Sequence, residues 1–249
     1  MTEQSTAAAP TAIVDENIHI GIEHECKWAL REEQTEDPGA FADAVLFGDL
    51  LTPMAAPRDY LQSSLYLDDT EGSFARAGHS LSIVVNSGAP GGTCVIVFKQ
   101  AVHRRGWRDG LELRQKVPYR GVGARISDPG TVPIAYARTL RLLTGDLRAA
   151  GVAVQRRYKC FGRTADGTEV VCNLDYVDFG DPAAPRDSSR HYRCLEIEVN
   201  SPFPTALADL DRLAGRLDER LGVARDRTSK SQLARAVDHG GSIGGSIGG

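Results

Sequence analysis

The sequence predicts an α+β protein built mainly of antiparallel β-structure: a barrel or a strongly curved sheet with a few helices packed outside. Three observations point there. About eight strand-like stretches are spread along the chain, and helical stretches are too few to alternate with them, which disfavours a doubly wound parallel sheet. No repeat of solenoid length appears. Finally, two strands far apart in sequence carry glutamates at every second position, so one face of each is acidic and the other apolar.

The strands follow in order. The first, 18–30, reads IHIGIEHECKWAL. Period two puts Glu23, Glu25 and Lys27 on one face, and Ile22, His24, Cys26 and Trp28 on the other. Further strands are expected at 62–69, 80–86, 93–102 (with its apolar run CVIVFK) and 111–117. A helix is expected over 132–147, where apolar residues recur at helical spacing ahead of Gly151. Strands return at 152–161 and 168–177, joined by ADGTEV at 165–170, whose Asp-Gly pair favours a tight hairpin. The last strand, 192–200, has Glu196 and Glu198 on one face and Leu195, Ile197 and Val199 on the other. A second helix is expected over 204–222, with Leu207, Leu210, Leu213, Leu217 and Leu221 along one side and Gly222 as its stop. NSGAPGGT at 86–93 reads as a connection. Residues 1–16 read as a flexible arm, 17–238 as a single domain, and the Gly/Ser repeat of 239–249 as a flexible tail.

Composition narrows the class. Of the 249 residues, 41% are hydrophobic and 25% charged, enough to bury a core. A net charge of −4 argues against a nonspecific nucleic-acid binder. No apolar run is long enough to span a membrane, and the N-terminal stretch lacks the basic and apolar regions of a signal peptide, so a cytoplasmic protein is expected. The five cysteines, Cys26, Cys94, Cys160, Cys172 and Cys194, are scattered and odd in number. They form neither a disulfide framework nor a zinc motif, and buried free thiols are expected.

One charged strand face is most simply a solvated face. Two such faces that meet across a barrel interior are different: Glu23, Glu25, Glu196 and Glu198 would repel one another and resist ionisation. A hard divalent cation relieves that repulsion through oxygen ligands. Lys99, Arg114 and Lys116, and Arg157 and Lys159, supply the opposite sign on strand faces. Acids for a cation and bases for phosphate oxygens together suit a metal–polyphosphate complex. Whether Arg156 or Arg157 points inward depends on register, since a slip of one residue exchanges them.

These segments resemble the CYTH proteins, also called triphosphate tunnel metalloenzymes. The resemblance starts with E-x-E-x-K (Glu23, Glu25, Lys27) and runs to about residue 237. YLDDTEGSFARAGHSL aligns Asp68 and Arg76, VIVFK aligns Lys99, LDYV aligns Asp175, LEIEV aligns Glu196 and Glu198, and TSKSQLARAV aligns Lys230. It implies a closed eight-stranded antiparallel tunnel that binds triphosphate compounds, with Mg²⁺ or Mn²⁺ held by Glu23, Glu25, Glu196 and Glu198. Phosphate would then be held by Lys27, Arg76, Lys99, Arg114, Lys116, Arg157 and Lys159, with Glu25, Lys27 and Glu198 catalytic. The expected partner is a small phosphorylated substrate, with no nucleic acid or membrane, and pairing of two copies is allowed.

The departures fall on the phosphate side. Ser82 and Val84 stand where the resemblance leads one to expect two arginines, and Gln155 where a lysine is common. A metal-dependent hydrolase of a triphosphate or triphosphate-containing metabolite is the first expectation. The alternatives are another phosphoryl transfer in the same tunnel, such as nucleotide cyclisation, and a non-catalytic phosphate-ligand binder.

Overall fold

The computed structural model describes residues 16–88, 92–104, 107–201 and 203–237. Its strands are β1 (Ile18–Ala29), β2 (Thr52–Asp68), β3 (Ser80–Asn86), β4 (Thr93–Arg104), β5 (Trp107–Pro118), β6 (Arg148–Arg163), β7 (Glu169–Asp181) and β8 (Ala184–Val199). Its helices are α1 (Pro38–Val45), α2 (Ser73–Arg76), α3 (Val122–Ser127), α4 (Val132–Thr139), α5 (Pro204–Leu221) and α6 (Lys230–Val237). The strands close into one antiparallel barrel in the order β1-β5-β4-β3-β2-β6-β7-β8. Closure removes both sheet edges and creates an interior. All eight expected strands are present, most of them longer than the sequence reading. Nearly all of the expected arm (1–16) and all of the tail (239–249) lie outside the described residues.

Two apolar clusters hold the barrel from outside. The outward faces of β1, β6, β7 and β8 pack against α1 and α5 through Trp28, Leu195, Ile197, Phe41 and Leu217. The stripe read from the sequence is buried at Leu210, Leu213, Leu217 and Leu221, and Gly222 ends α5 at φ 64°. Trp28 is fully buried, and its indole N–H donates to Asp218 of α5 at 2.7 Å. The outward faces of β3, β4 and β5 pack against α2, α3 and α4 through Phe74, Phe98 and Ile134. All five cysteines are buried free thiols.

Three expectations change. The helix over 132–147 stops at Thr139, and Arg141 follows with φ 56°, so the chain turns away before Gly151. The ADGTEV turn is a longer loop between Arg163 and Glu169, closed by Thr164 and Thr168, with Gly167 at φ 94°. Not every helix lies outside: α6 closes one end of the barrel. Its Leu233 and Ala234 pack on Ala153, Val177 and Phe179, and Ala153 shares its strand face with Gln155 and Arg157, which line the interior.

Gly151 permits that closure. A Cβ there would lie 2.8 Å from the backbone carbon of Ala234. Gly151→Ala should therefore destabilise the protein by roughly 1–3 kcal/mol through overpacking. Urea unfolding would show it; an unchanged midpoint would mean that α6 shifts without cost.

Candidate active site

The barrel turns its charged strand faces inward. In β1, Glu23, Glu25 and Lys27 point in, because Cys26 and Trp28 are drawn out into the apolar cluster under α5. Glu196 and Glu198 of β8 point in for the same reason, with Leu195, Ile197 and Val199 outside. Register then brings the two glutamate pairs together: Glu25 lies directly across from Glu198, and Lys27 across from Glu196. Such cross-strand neighbours have Cβ atoms roughly 5 Å apart. Each of the four glutamates is at most 8% exposed.

They face a cavity of about 290 Å³ lined by side chains from most of the strands and from the start of α6. Lys99, Arg114, Arg157 and Lys159 line it, as do Lys27, Glu25, Glu196 and Glu198. Glu23 adjoins the cavity through Lys99, at 2.7 Å, and Arg114, at 3.0 Å. Of the expected phosphate ligands, two stand apart. Arg76 is exposed on α2, outside the barrel, with its guanidinium 3.4 Å from Ser73. Lys116 shares its face with Arg114 but is exposed beyond the cavity. The register question is settled: Arg157 is inward, and Arg156 is exposed and paired with Asp59.

Several ion-pair partners of the site are not legible in the sequence, although Glu112 shares a strand face with Arg114 and Lys116. Glu112 is 2% exposed and pairs with Lys99 at 3.0 Å and with Arg114. Arg108 pairs with Glu25 at 2.5 Å. Its strand begins earlier than the apolar pattern of 111–117 indicated, so the pattern hid it. Asp175 is fully buried and takes a bidentate pair from Arg157, at 2.7 and 2.6 Å, as well as Lys230. Lys230 also reaches Glu196 at 2.9 Å. The family resemblance had aligned Asp175 and Lys230 without giving them these roles. Lys27 bonds the Thr228 carbonyl, and its ammonium sits 5.3 Å from the centre of the Tyr192 ring.

Charge state follows from these partners. Burial alone would raise Glu23, but Lys99, a hydrogen bond with Glu112 and Arg114 outweigh it and hold the carboxyl well below the usual range. Burial likewise opposes ionisation of Glu196, and Lys230, Arg157 and Lys27 outweigh it. Glu198 is the exception. Burial, reinforced by the charge of Glu23, pushes its carboxyl up to about 7 against the pull of Lys99 and Arg157. Among the described residues Glu198 makes no ion pair; it accepts an N–H from Asn173 at 2.9 Å. Burial, together with the like charges of Arg157, Arg114 and Arg58, lowers Lys159 despite the pull of Glu198.

Two places could attract a metal. Ligand atoms of Asp175, Cys194 and Glu196 lie within 4.8 Å of one another. That set does not fit a hard cation, because Arg157 and Lys230 already neutralise its carboxylates and burial pushes the thiol well up. The Glu25–Glu198 pair fits better. It offers opposed carboxylates: Glu25 is paired with Arg108, and among the described residues Glu198 has no ionic partner and the buried amide oxygen of neighbouring Asn173 no hydrogen bond. All-oxygen donors of this kind suit Mg²⁺ or Mn²⁺.

The opposite wall is neutral. Ser82 and Val84 of β3 do face the cavity, beside Ser64, Val95 and Val97. Gln155 donates to Gln62 at 2.5 Å, and Gln62 donates to Asn86 at 2.7 Å.

Solved structures share this closed eight-stranded fold. A solved structure from Hippeastrum, of a protein assigned as an adenylyl cyclase and described as having a dominant triphosphatase activity, matches with TM-score 0.55 at 14% identity. It covers 88% of this chain and 96% of its own. A Bacillus halodurans protein assigned as an adenylate cyclase matches with TM-score 0.55 at 15% identity, over 84% of this chain and 95% of its own. A Pyrococcus horikoshii protein matches with TM-score 0.52 at 16% identity, over 85% and 97%. At these identities the likeness concerns the fold. No protein-family model matches the sequence, nor does any curated protein. No helix of the described residues is long and apolar enough to cross a membrane.

The raised Glu198 has a consequence for stability. Its folded value, about 7, lies above the ordinary 4.5. The folded state therefore holds the proton more tightly, and stability should fall as pH rises between those values. The shift corresponds to a loss on the order of 3 kcal/mol. In chelator, Glu198→Gln should flatten this slope in unfolding measurements from pH 4 to 8; an unchanged slope would remove Glu198 as its source.

Proposed function

We propose that the protein is a metal-dependent hydrolase that cleaves a phosphoanhydride bond in a triphosphate or triphosphate-containing compound bound inside the barrel. The observation that carries this reading is the register that sets Glu25 opposite Glu198 in a cavity also lined by Lys99, Arg114, Arg157 and Lys159. The triphosphatase activity described for the Hippeastrum protein of the same fold supports it.

Glu25 and Glu198 would hold Mg²⁺ or Mn²⁺, with Glu23 and Glu196 beside them. The ion, when bound, polarises phosphoryl oxygens and acidifies water. The chain does the rest by positioning and charge. Lys159 is the cation of this group that makes no ion pair among the described residues, so it can meet phosphate without giving up a partner. Lys99 and Arg114 are now held by Glu23 and Glu112 and would turn from carboxylate to phosphate oxygens as a ligand enters. Arg157 stays anchored on Asp175 and presents a fixed guanidinium. With the ion in place Glu198 would be held as a carboxylate, the form that can accept a hydrogen bond from the attacking water and orient it. Cyclisation of a nucleoside triphosphate is the second reading, favoured by the two neighbours assigned as cyclases.

Product analysis with inorganic triphosphate and with nucleoside and thiamine triphosphates, each with Mg²⁺, Mn²⁺ or chelator, tests the proposal. Phosphate or pyrophosphate release that requires the metal is expected, and Glu198→Gln should slow it by about 100-fold or more. A cyclic nucleotide product would favour the second reading. No turnover on any compound would leave a phosphate-ligand binder.

A further inference from the structure

The cavity is divided. The charged residues come from β1, β5 and β8, with Lys99 of β4, Arg157 and Lys159 of β6 and Lys230 of α6. The wall of β2 and β3, continued by the nearer end of β4 and by Gln155, holds hydroxyls, amides and valines. Gln155, Gln62 and Asn86 form a row across three neighbouring strands, since Gln62 lies directly opposite both of the others. Their hydrogen bonds run in one direction, from Gln155 to Gln62 to Asn86. The row therefore carries an amide oxygen at its Gln155 end and an NH₂ group at its Asn86 end. Tyr60 flanks it on one side, and Ser64 and Val84 on the other.

A ligand made of phosphate alone would leave this wall without a counterpart. Amides are weaker partners for phosphate oxygens than ammonium or guanidinium groups. A polar row, here with Gln155 buried and Gln62 and Asn86 half-buried, that loses water to a ligand and receives no hydrogen bonds from it also costs affinity. An uncharged group with its own donors and acceptors satisfies it, and the valines beside it accept an apolar ring or methylene surface.

Resting on the proposed function, we infer that the ligand is an organic phosphoanhydride whose organic part is uncharged and hydrogen-bonding, as a nucleobase or nucleoside is, and that Gln62, Asn86 and Gln155 select it. The phosphates then face Lys159 and Arg157, and the organic part lies against β2 and β3. Inorganic triphosphate is the poorer ligand because it leaves the amide row unmatched.

Calorimetric titration in Mn²⁺ tests this with inorganic triphosphate, the four common ribonucleoside triphosphates and thiamine triphosphate as probes. At least one nucleotide should bind roughly tenfold or more tightly than inorganic triphosphate. Gln155→Leu and Asn86→Leu should each erase most of that preference while leaving inorganic triphosphate affinity unchanged. Val84→Arg should shift preference the other way, and it checks the same wall should a leucine variant fail to fold. Inorganic triphosphate or the cationic thiamine ester binding best, or leucine variants that weaken all probes equally, would overturn the inference while the phosphate reading stands. Binding of none of the probes would sink both.

Discussion

A barrel that turns charged strand faces inward must compensate those charges without bulk water, and the rest of this structure is arranged around that requirement. Coulomb attraction and the cost of desolvation both grow as charges leave water, so a buried carboxylate is either paired or protonated. Glu23 is paired with Lys99 and Arg114, Glu25 with Arg108, and Glu196 with Arg157 and Lys230. Among the described residues Glu198 has an amide and no cation within ion-pair distance, and its carboxyl is displaced toward neutrality. Among the described residues the four inward glutamates are thus compensated except at Glu198, which lies across from the Arg108-paired Glu25.

The outside of the barrel makes that arrangement hold. Cys26, Trp28, Leu195 and Ile197 are locked against α5, so the intervening residues have no choice of face. Closing one end with α6 does more than exclude water. It carries Lys230 to Asp175 and Glu196, and brings Arg235 within 3.2 Å of Asp68. The C-terminal helix is therefore part of the charge balance, and its close seat depends on the absence of a side chain at Gly151.

The division of the cavity bears on what the chain can bind. One side of the cavity carries its acids, whereas serine and valine stand on β3 where the CYTH resemblance led one to expect arginines. Fewer cations mean less attraction for a bare polyphosphate, and an amide row means a demand for matching hydrogen bonds. Both push the proposed chemistry toward ligands with an organic part.

Strand count and the inward glutamates were legible because both depend on local alternation, and the apolar half of each strand declares which half is inside. Helix α5 was legible through its leucine stripe and glycine stop. Strand ends were not, because long exposed ladders such as β2 from Thr52 are held by their partner strands and not by their own pattern. Arg108 was missed, and Glu112, on one face with Arg114 and Lys116, was left without a role, for a related reason: a charge in a strand looks the same whether it faces water or an enclosed partner. Arg76 and Lys116 were placed with the phosphate ligands by alignment and strand parity, neither of which measures distance from the cavity. By itself, the sequence determined which residues share a face, since side-chain direction follows from backbone period. Only the tertiary structure decided who meets whom: Glu25 with Glu198, Arg157 with Asp175, Gln62 with Gln155 and Asn86. Those meetings depend on strand order and register around a closed barrel, which no local pattern encodes.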